Sequence, residues 1–172
     1  QKHYSDAIPV LGGLDMIVRQ MKENAVGLLG TVRCTSYNFG GHCCLLGDSA
    51  HAITPFFGQG TNASFEDCYI LAELMAKHAP ANNMTTVGLS HAFDLFTRER
   101  KPNADAIAEM ALDNFVEMRD RVGDIQFLLN KSVENVLENH FEDRFRSRYA
   151  MVCYGGGGNI TYDAALRLGE VN

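Results

Sequence analysis

Residues 43–67 hold the side chains whose types and spacing could do chemistry. Cys43-Cys44-Leu45-Leu46 is an apolar run, Gly47-Asp48 follows it, and Pro55-Phe56-Phe57-Gly58-Gln59-Gly60-Thr61-Asn62-Ala63 leads into a helical pattern. A buried strand ending at Leu46 delivers Gly47 and Asp48 to a sheet edge, where open α/β folds bind ligands. Gly47 lets a ligand approach the backbone, and the Asp48 carboxylate can accept hydrogen bonds from ligand hydroxyls. The glycine-lined loop runs into a helix expected to start near Thr61 or Asn62. Its first N–H groups lack partners, so that end suits an anionic or electron-rich ligand group.

Other chemistries fit these residues less well. Gly58-x-Gly60-x-x-Ala63 matches the dinucleotide fingerprint formally, but the glycines lie a dozen residues past the strand with Pro55 between, and that fingerprint needs a tight strand-to-helix turn. No other segment supplies one. His51 and Asp48 are too few to hold zinc; His51 is read as a support for the loop, and no metal site is expected. Gly155 to Gly158 lack the Gly-Lys-Ser/Thr of a phosphate loop and read as a flexible connector.

Composition narrows the setting. The chain has 172 residues, 46% apolar and 21% charged, with net charge −6, enough for one domain or part of a larger one. The acidic balance argues against nucleic acid, which needs a basic stripe. Two short basic clusters, Arg98-Arg100-Lys101 and Arg144-Arg146-Arg148, read as solvated helix faces. The five cysteines (Cys34, Cys43, Cys44, Cys68, Cys153) are odd in number and form no CxxC pair; they read as reduced core residues of an intracellular protein. No apolar run is long enough to span a membrane and no signal peptide is visible. The start on Gln1, mid-pattern, suggests a fragment.

The surrounding elements follow from periodicity. Residues 5–24 give short helical patterns broken by Pro9 and Gly12-Gly13. Thr31 to Phe39 reads as a strand and His42 to Leu46 as a short buried one. A helix follows from Asn62 to about Lys77, another from Val87 to about Arg100, and Pro102 is expected to kink or restart the next. That next helix carries an apolar stripe of Ile107, Met110, Ala111, Phe115 and Met118. Further helices are expected over Asp124 to Asn139, near Arg144 to Val152, and over Thr161 to Leu168. The expected class is α/β, two strands and then mostly helix, divided as 1–42, 43–84 and 85–172.

Gly47, Asp48, His51, Pro55, Gly58, Gly60, Asn62, Glu66 and Asp67 together resemble the second FAD-binding motif of the flavoprotein aromatic hydroxylases. Within that family the chain is most similar to the kynurenine-hydroxylating branch, through Pro55 to Gly60, Asn62-Ala63, Phe65-Glu66-Asp67-Cys68, Asp6-Ala7-Ile8-Pro9 and Asn114-Phe115-Val116-Glu117-Met118-Arg119. Ser49 and Thr61 depart from the pattern. The resemblance implies that the chain is the C-terminal part of such a fold: the end of a substrate-domain sheet, the second FAD motif, and a helical region covering the active site, with the N-terminal Rossmann-type unit elsewhere.

The same resemblance implies roles. Asp48 would hold the FAD ribityl chain. Gly47, Pro55 and the Gly58-Gln59-Gly60-Thr61-Asn62-Ala63 backbone would line the flavin. Phe56, Phe57 and Gln59 would form a substrate-sensing loop. Asn114 and Tyr149 would bind the amino-acid end of L-kynurenine; from the residues alone, Asn114 reads first as a satisfied core amide and Tyr149 as an ordinary interfacial tyrosine. The implied reaction is NADPH- and O2-dependent hydroxylation of L-kynurenine to 3-hydroxykynurenine in tryptophan degradation, with no catalytic acid, base or nucleophile from this chain because the cofactor carries the chemistry. The N-terminal part of the same protein is the implied partner. Eukaryotic members sit at the mitochondrial outer membrane through a C-terminal anchor, which the residues up to Asn172 do not include. Two other classes stand beside this one. Leu46-Gly47-Asp48-Ser49 resembles the nucleophile block of GDS-type lipases and esterases, but its only Asp-x-x-His, Asp48 to His51, overlaps the nucleophile. A non-catalytic scaffold or regulatory fragment is the other.

Overall fold

The computed structural model describes residues 5–141, 144–154 and 160–169, and they are mostly helical with little sheet. Two short helices, α1 (Ala7–Val10) and α2 (Leu14–Glu23), meet at Gly12-Gly13, both at positive φ. A two-residue antiparallel hairpin follows: β1 (Asn38–Phe39) pairs with β2 (Cys43–Cys44). Then come α3 (Asp48–His51), a 3₁₀ turn at Pro55–Phe57, and α4 (Gly60–His78). Helix α5 runs from Thr86 to Val116 and continues as a π turn over Glu117–Arg121. The remaining helices are α6 (Ile125–His140), α7 (Arg148–Tyr154) and α8 (Tyr162–Gly169).

The strands are far shorter than the alternation predicts. Thr31 to Tyr37 forms no ladder, and His42 to Leu46 contributes only Cys43 and Cys44. The expected buried strand is not buried: Cys43 and Leu45 are exposed, because each strand has only the other as neighbour among the described residues. Cys43 and Cys68 are exposed thiols, not core residues. The α/β expectation therefore reduces, in these residues, to a helical assembly with one small hairpin.

Helix α5 is the spine. It packs along α4 and against α8. Thr85 caps its start, its Oγ1 accepting from the Gly88 N–H at 3.1 Å. The sequence predicts a kink or restart at Pro102; the helix does not restart there but runs through it. Pro102 removes one ladder hydrogen bond, but its flanks are held by burial: Arg100, Asn103, Ala104, Ala106 and Ile107 are all inside. Asn103 adds a side-chain bond to Glu99 O at 2.9 Å, and its Oδ1 accepts the Asp163 N–H at the start of α8. Tertiary packing thus overrides the local breaker.

The core lies between the hairpin, α3, α4 and α5, built on Tyr37, Ala50, Phe96 and Ala104. The hairpin docks through Asn38, which donates to Asp94 and accepts from Thr97, both at 2.8 Å. Asp124 caps α6. Gly155 to Gly158, read as a connector, lie outside the described residues. No described helix is long and apolar enough to cross a membrane.

Candidate functional site

The segment from Gly47 to Ala63 is a sequence of turns. Gly47 stands at φ +59, where a Cβ would come within 3.0 Å of Ser64 Oγ. Glycine is needed there on both counts. Asp48 is not at a strand end as predicted: it opens α3, exposed, because the chain turns into a helix directly after Gly47. Pro55–Phe57 forms a 3₁₀ turn closed by Gly58 at φ +70. Helix α4 starts at Gly60, one or two residues earlier than predicted, and no side chain caps it. Its first N–H groups are therefore available to a ligand. A Cβ at Gly58 or Gly60 would meet no atom within 4 Å. An uncapped helix start beside two glycines that border open space, with the exposed Asp48 carboxylate on the same segment, fits the negative and polyhydroxyl parts of FAD.

A cavity of about 460 Å3 opens next to this segment, a size ordinary for a small-molecule site. Phe57, Asn114, Glu117, Met118 and Tyr149 are among its lining residues. Three residues that the sequence singles out from distant positions thus converge on one space. The Tyr149 ring sits 5.6 Å from the Phe57 ring. Phe56 turns the other way and packs on Phe115 at 4.5 Å. Asn114 Nδ2 donates to the Phe56 carbonyl at 2.6 Å. The bland reading of Asn114 as a satisfied amide is thus met for its NH2 group, while its Oδ1 accepts no hydrogen bond from the described residues. Glu117, in the π turn that ends α5, adds a carboxylate to the same wall. Sequence reasoning missed it, although Asn114-x-x-Glu117 spacing puts the two on one helical face.

Gln59 faces a second cleft, of about 440 Å3. Its side chain touches Cys153 Sγ at 3.6 Å and accepts from Asn62 at 2.9 Å and Tyr162 OH at 3.3 Å. Burial, with the nearby Glu66 charge, pushes the Tyr162 phenol up to about 12, so it stays a neutral donor. The Tyr149 phenol is also raised, by the Cys153 thiol beside it and then by slight burial. Thr61 and Asn62 are exposed at the helix start, and Ala63 is buried beneath it.

The largest feature that sequence reasoning did not assemble is a buried charge cluster under this segment. Asp67 Oδ2 accepts from His51 Nε2 at 2.5 Å and from the Gly47 N–H at 3.1 Å; Asp67 Oδ1 accepts from Arg100 Nε at 2.6 Å. Arg100 also pairs with Glu66 at 2.9 Å and donates to Ala63 O at 3.3 Å. Burial acts to raise the Asp67 carboxyl, but the His51 and Arg100 hydrogen bonds and the Arg100 charge hold it below its ordinary value. The expectation that Arg100 belongs to a solvated face is wrong. It is 1% exposed. The signal was available: Phe93, Phe96, Ala104 and Ile107 lie at helical spacing around it, so it stands on the buried stripe.

The rival nucleophile reading finds no geometry. Ser49 Oγ donates to Leu46 O at 2.7 Å and accepts the Leu46 N–H at 3.1 Å. His51 points to Asp67 instead.

Residues 1–111 match the family described as FAD binding domain, and the chain belongs to that family of flavin-binding proteins. Among curated proteins it is similar to the kynurenine 3-monooxygenase of Myxococcus xanthus, 44% identical over 155 residues, which are 90% of this chain and 31% of that protein. The kynurenine 3-monooxygenase of Stenotrophomonas maltophilia is 40% identical over 170 residues, 99% of this chain and 34% of that protein. That of Cytophaga hutchinsonii is 41% identical over 153 residues, 89% and 32% respectively. The chain spans about a third of the length of the curated relatives it matches.

Proposed function

We propose that this chain is the C-terminal part of an FAD- and NADPH-dependent monooxygenase that hydroxylates L-kynurenine to 3-hydroxykynurenine. The observation that carries the proposal is the convergence of Phe57, Asn114 and Tyr149 on one cavity beside the open glycine turn. When bound, FAD reduced by NADPH supplies the oxygen activation. The chain supplies positioning and a dry pocket. Asp48 accepts hydrogen bonds from the ribityl hydroxyls. The Gly58 to Ala63 backbone and the uncapped start of α4 favour negative charge on the reduced flavin. Phe57 excludes water from the cavity, and Phe56, packed on Phe115, anchors the turn that carries it. Asn114 and Tyr149 hold the amino-acid end of the substrate, and the Glu117 carboxylate is suited to its ammonium group.

We also propose that the preceding part of the same protein completes the fold in the arrangement of domains set out above. Large apolar side chains stand open for such a partner, among them Val10 at 85% and Leu28 at 95% exposure, with Phe65, Tyr69 and Ile125 also out. The relatives named above are bacterial, so a mitochondrial outer-membrane location is not part of the proposal.

The test uses the purified full-length protein. Flavin absorbance bands, together with NADPH oxidation stimulated by L-kynurenine and formation of 3-hydroxykynurenine, are expected. Flavin bands without that stimulation would keep the hydroxylase and reject kynurenine. A colourless protein that cannot be loaded with FAD would leave a non-catalytic role.

A further inference from the structure

We propose that Asp67 is the positioning residue of the flavin-facing segment. Its carboxylate, held by Arg100, fixes the main chain at Gly47 and the ring of His51, and so sets where Asp48 and the start of α4 stand. The inference rests on the reading of residues 47–63 as flavin contacts.

Geometry makes the case. Ala63 and Asp67, one turn apart, are the two buried residues of α4. From that position the Asp67 side chain takes three donors, and two of them, the Gly47 N–H and His51 Nε2, belong to the start of the segment. The third, Arg100, reaches back to Ala63 O at the segment's other end. One end of the stretch between His51 and Ala63 is therefore tied to Asp67 on α4, and the other to Arg100 on α5, which Asp67 itself holds. Gly47 also packs against Ser64, so the turn and the helix start cannot slide past each other without breaking these bonds. A buried ion pair is weak evidence for stability, since apolar side chains of similar volume often serve as well. What a carboxylate offers here, and an apolar group does not, is an acceptor for a main-chain N–H of the Gly-Asp turn.

The experiment is FAD rebinding to the full-length apoprotein, followed by flavin fluorescence, with the visible flavin spectrum and the L-kynurenine KM measured beside it. Asp67→Asn keeps the volume and removes the charge. It is expected to weaken FAD binding about tenfold, the scale of one charge-assisted hydrogen bond, and to change the flavin band shape, while KM stays within about twofold. A variant that melts earlier but binds FAD as the wild type does would show a purely structural role and overturn the proposal. If Asp67→Asn does not fold, His51→Gln decides, because it leaves the Arg100–Asp67 pair whole. Several-fold weaker FAD binding in that variant supports positioning, and unchanged binding overturns it. A wild-type apoprotein that takes up no FAD overturns the flavin reading itself, and the proposal with it.

Discussion

The Asn114 side-chain amide donates to the Phe56 carbonyl at 2.6 Å, linking the last turn of α5 to the 3₁₀ turn that precedes Gly58. One side chain therefore lines the cavity and holds the turn that carries Phe57 and Gln59. Under the proposed function, Asn114→Ala raises the L-kynurenine KM about tenfold, the scale of one lost hydrogen bond, and leaves FAD bound. Asn114→Asp should be worse, because a carboxylate offers no donor to the Phe56 carbonyl. Steady-state kinetics with flavin quantitation checks both. Lost FAD at wild-type KM would reject the role.

Tyr149→Phe keeps the ring that packs on Phe57 and removes the hydroxyl. The residue is half exposed, so the melting temperature should hold while KM rises several-fold. An unchanged KM would return Tyr149 to the role of an interfacial ring.

Asp48 is exposed and makes no structural bond among the described residues. Asp48→Ala should leave stability within about 0.5 kcal/mol yet weaken FAD retention. Gel filtration followed by absorbance measures the retained flavin, and full occupancy would reject the assignment.

Two glycine substitutions separate ligand contact from folding. A Cβ at Gly60 meets no protein atom, so Gly60→Ala should fold with an unchanged melting temperature and bind FAD more weakly. A Cβ at Gly41 would stand 2.2 Å from Thr86 O and 2.9 Å from Ser90 N, both main chain. Gly41→Ala should cost about 1–3 kcal/mol by forcing the hairpin off α5. Thermal melts and FAD titrations of the pair would show the opposite pattern if these contacts are misread.

The Asp67 carboxyl is held below its ordinary value of 3.8. The folded state therefore binds fewer protons than the unfolded one as acid is added. The contribution is full above pH 3.8 and is lost as pH falls through the lowered folded value. Asp67→Asn should remove that part of the acid slope, seen by urea melts across the acid range. Asp67→Ala, which leaves Arg100 buried with Glu66 as its remaining carboxylate, should cost about 3–5 kcal/mol.

The chain itself dictated the local pieces. Gly47 and Gly58 mark turns, since both stand at positive φ, which residues with a Cβ rarely adopt. The apolar spacing in 62–77, 107–118 and 125–139 predicts helices with one apolar face, although in α6 that face is not buried against the described residues. What it could not dictate was everything that depends on a neighbour. The strand patterns at 31–39 and 42–46 shrank to two residues each, because a strand lasts only as long as its partner. Pro102 did not restart the helix, because packing on α4 and α8 buries residues on either side of it. Arg100 left the solvent because Asp67, Glu66 and Ala63 O await it across the interface, partners more than thirty residues away. The meeting of Phe57, Asn114 and Tyr149 was likewise decided only when α5 and α7 packed around the 3₁₀ turn, since no local periodicity relates positions so far apart.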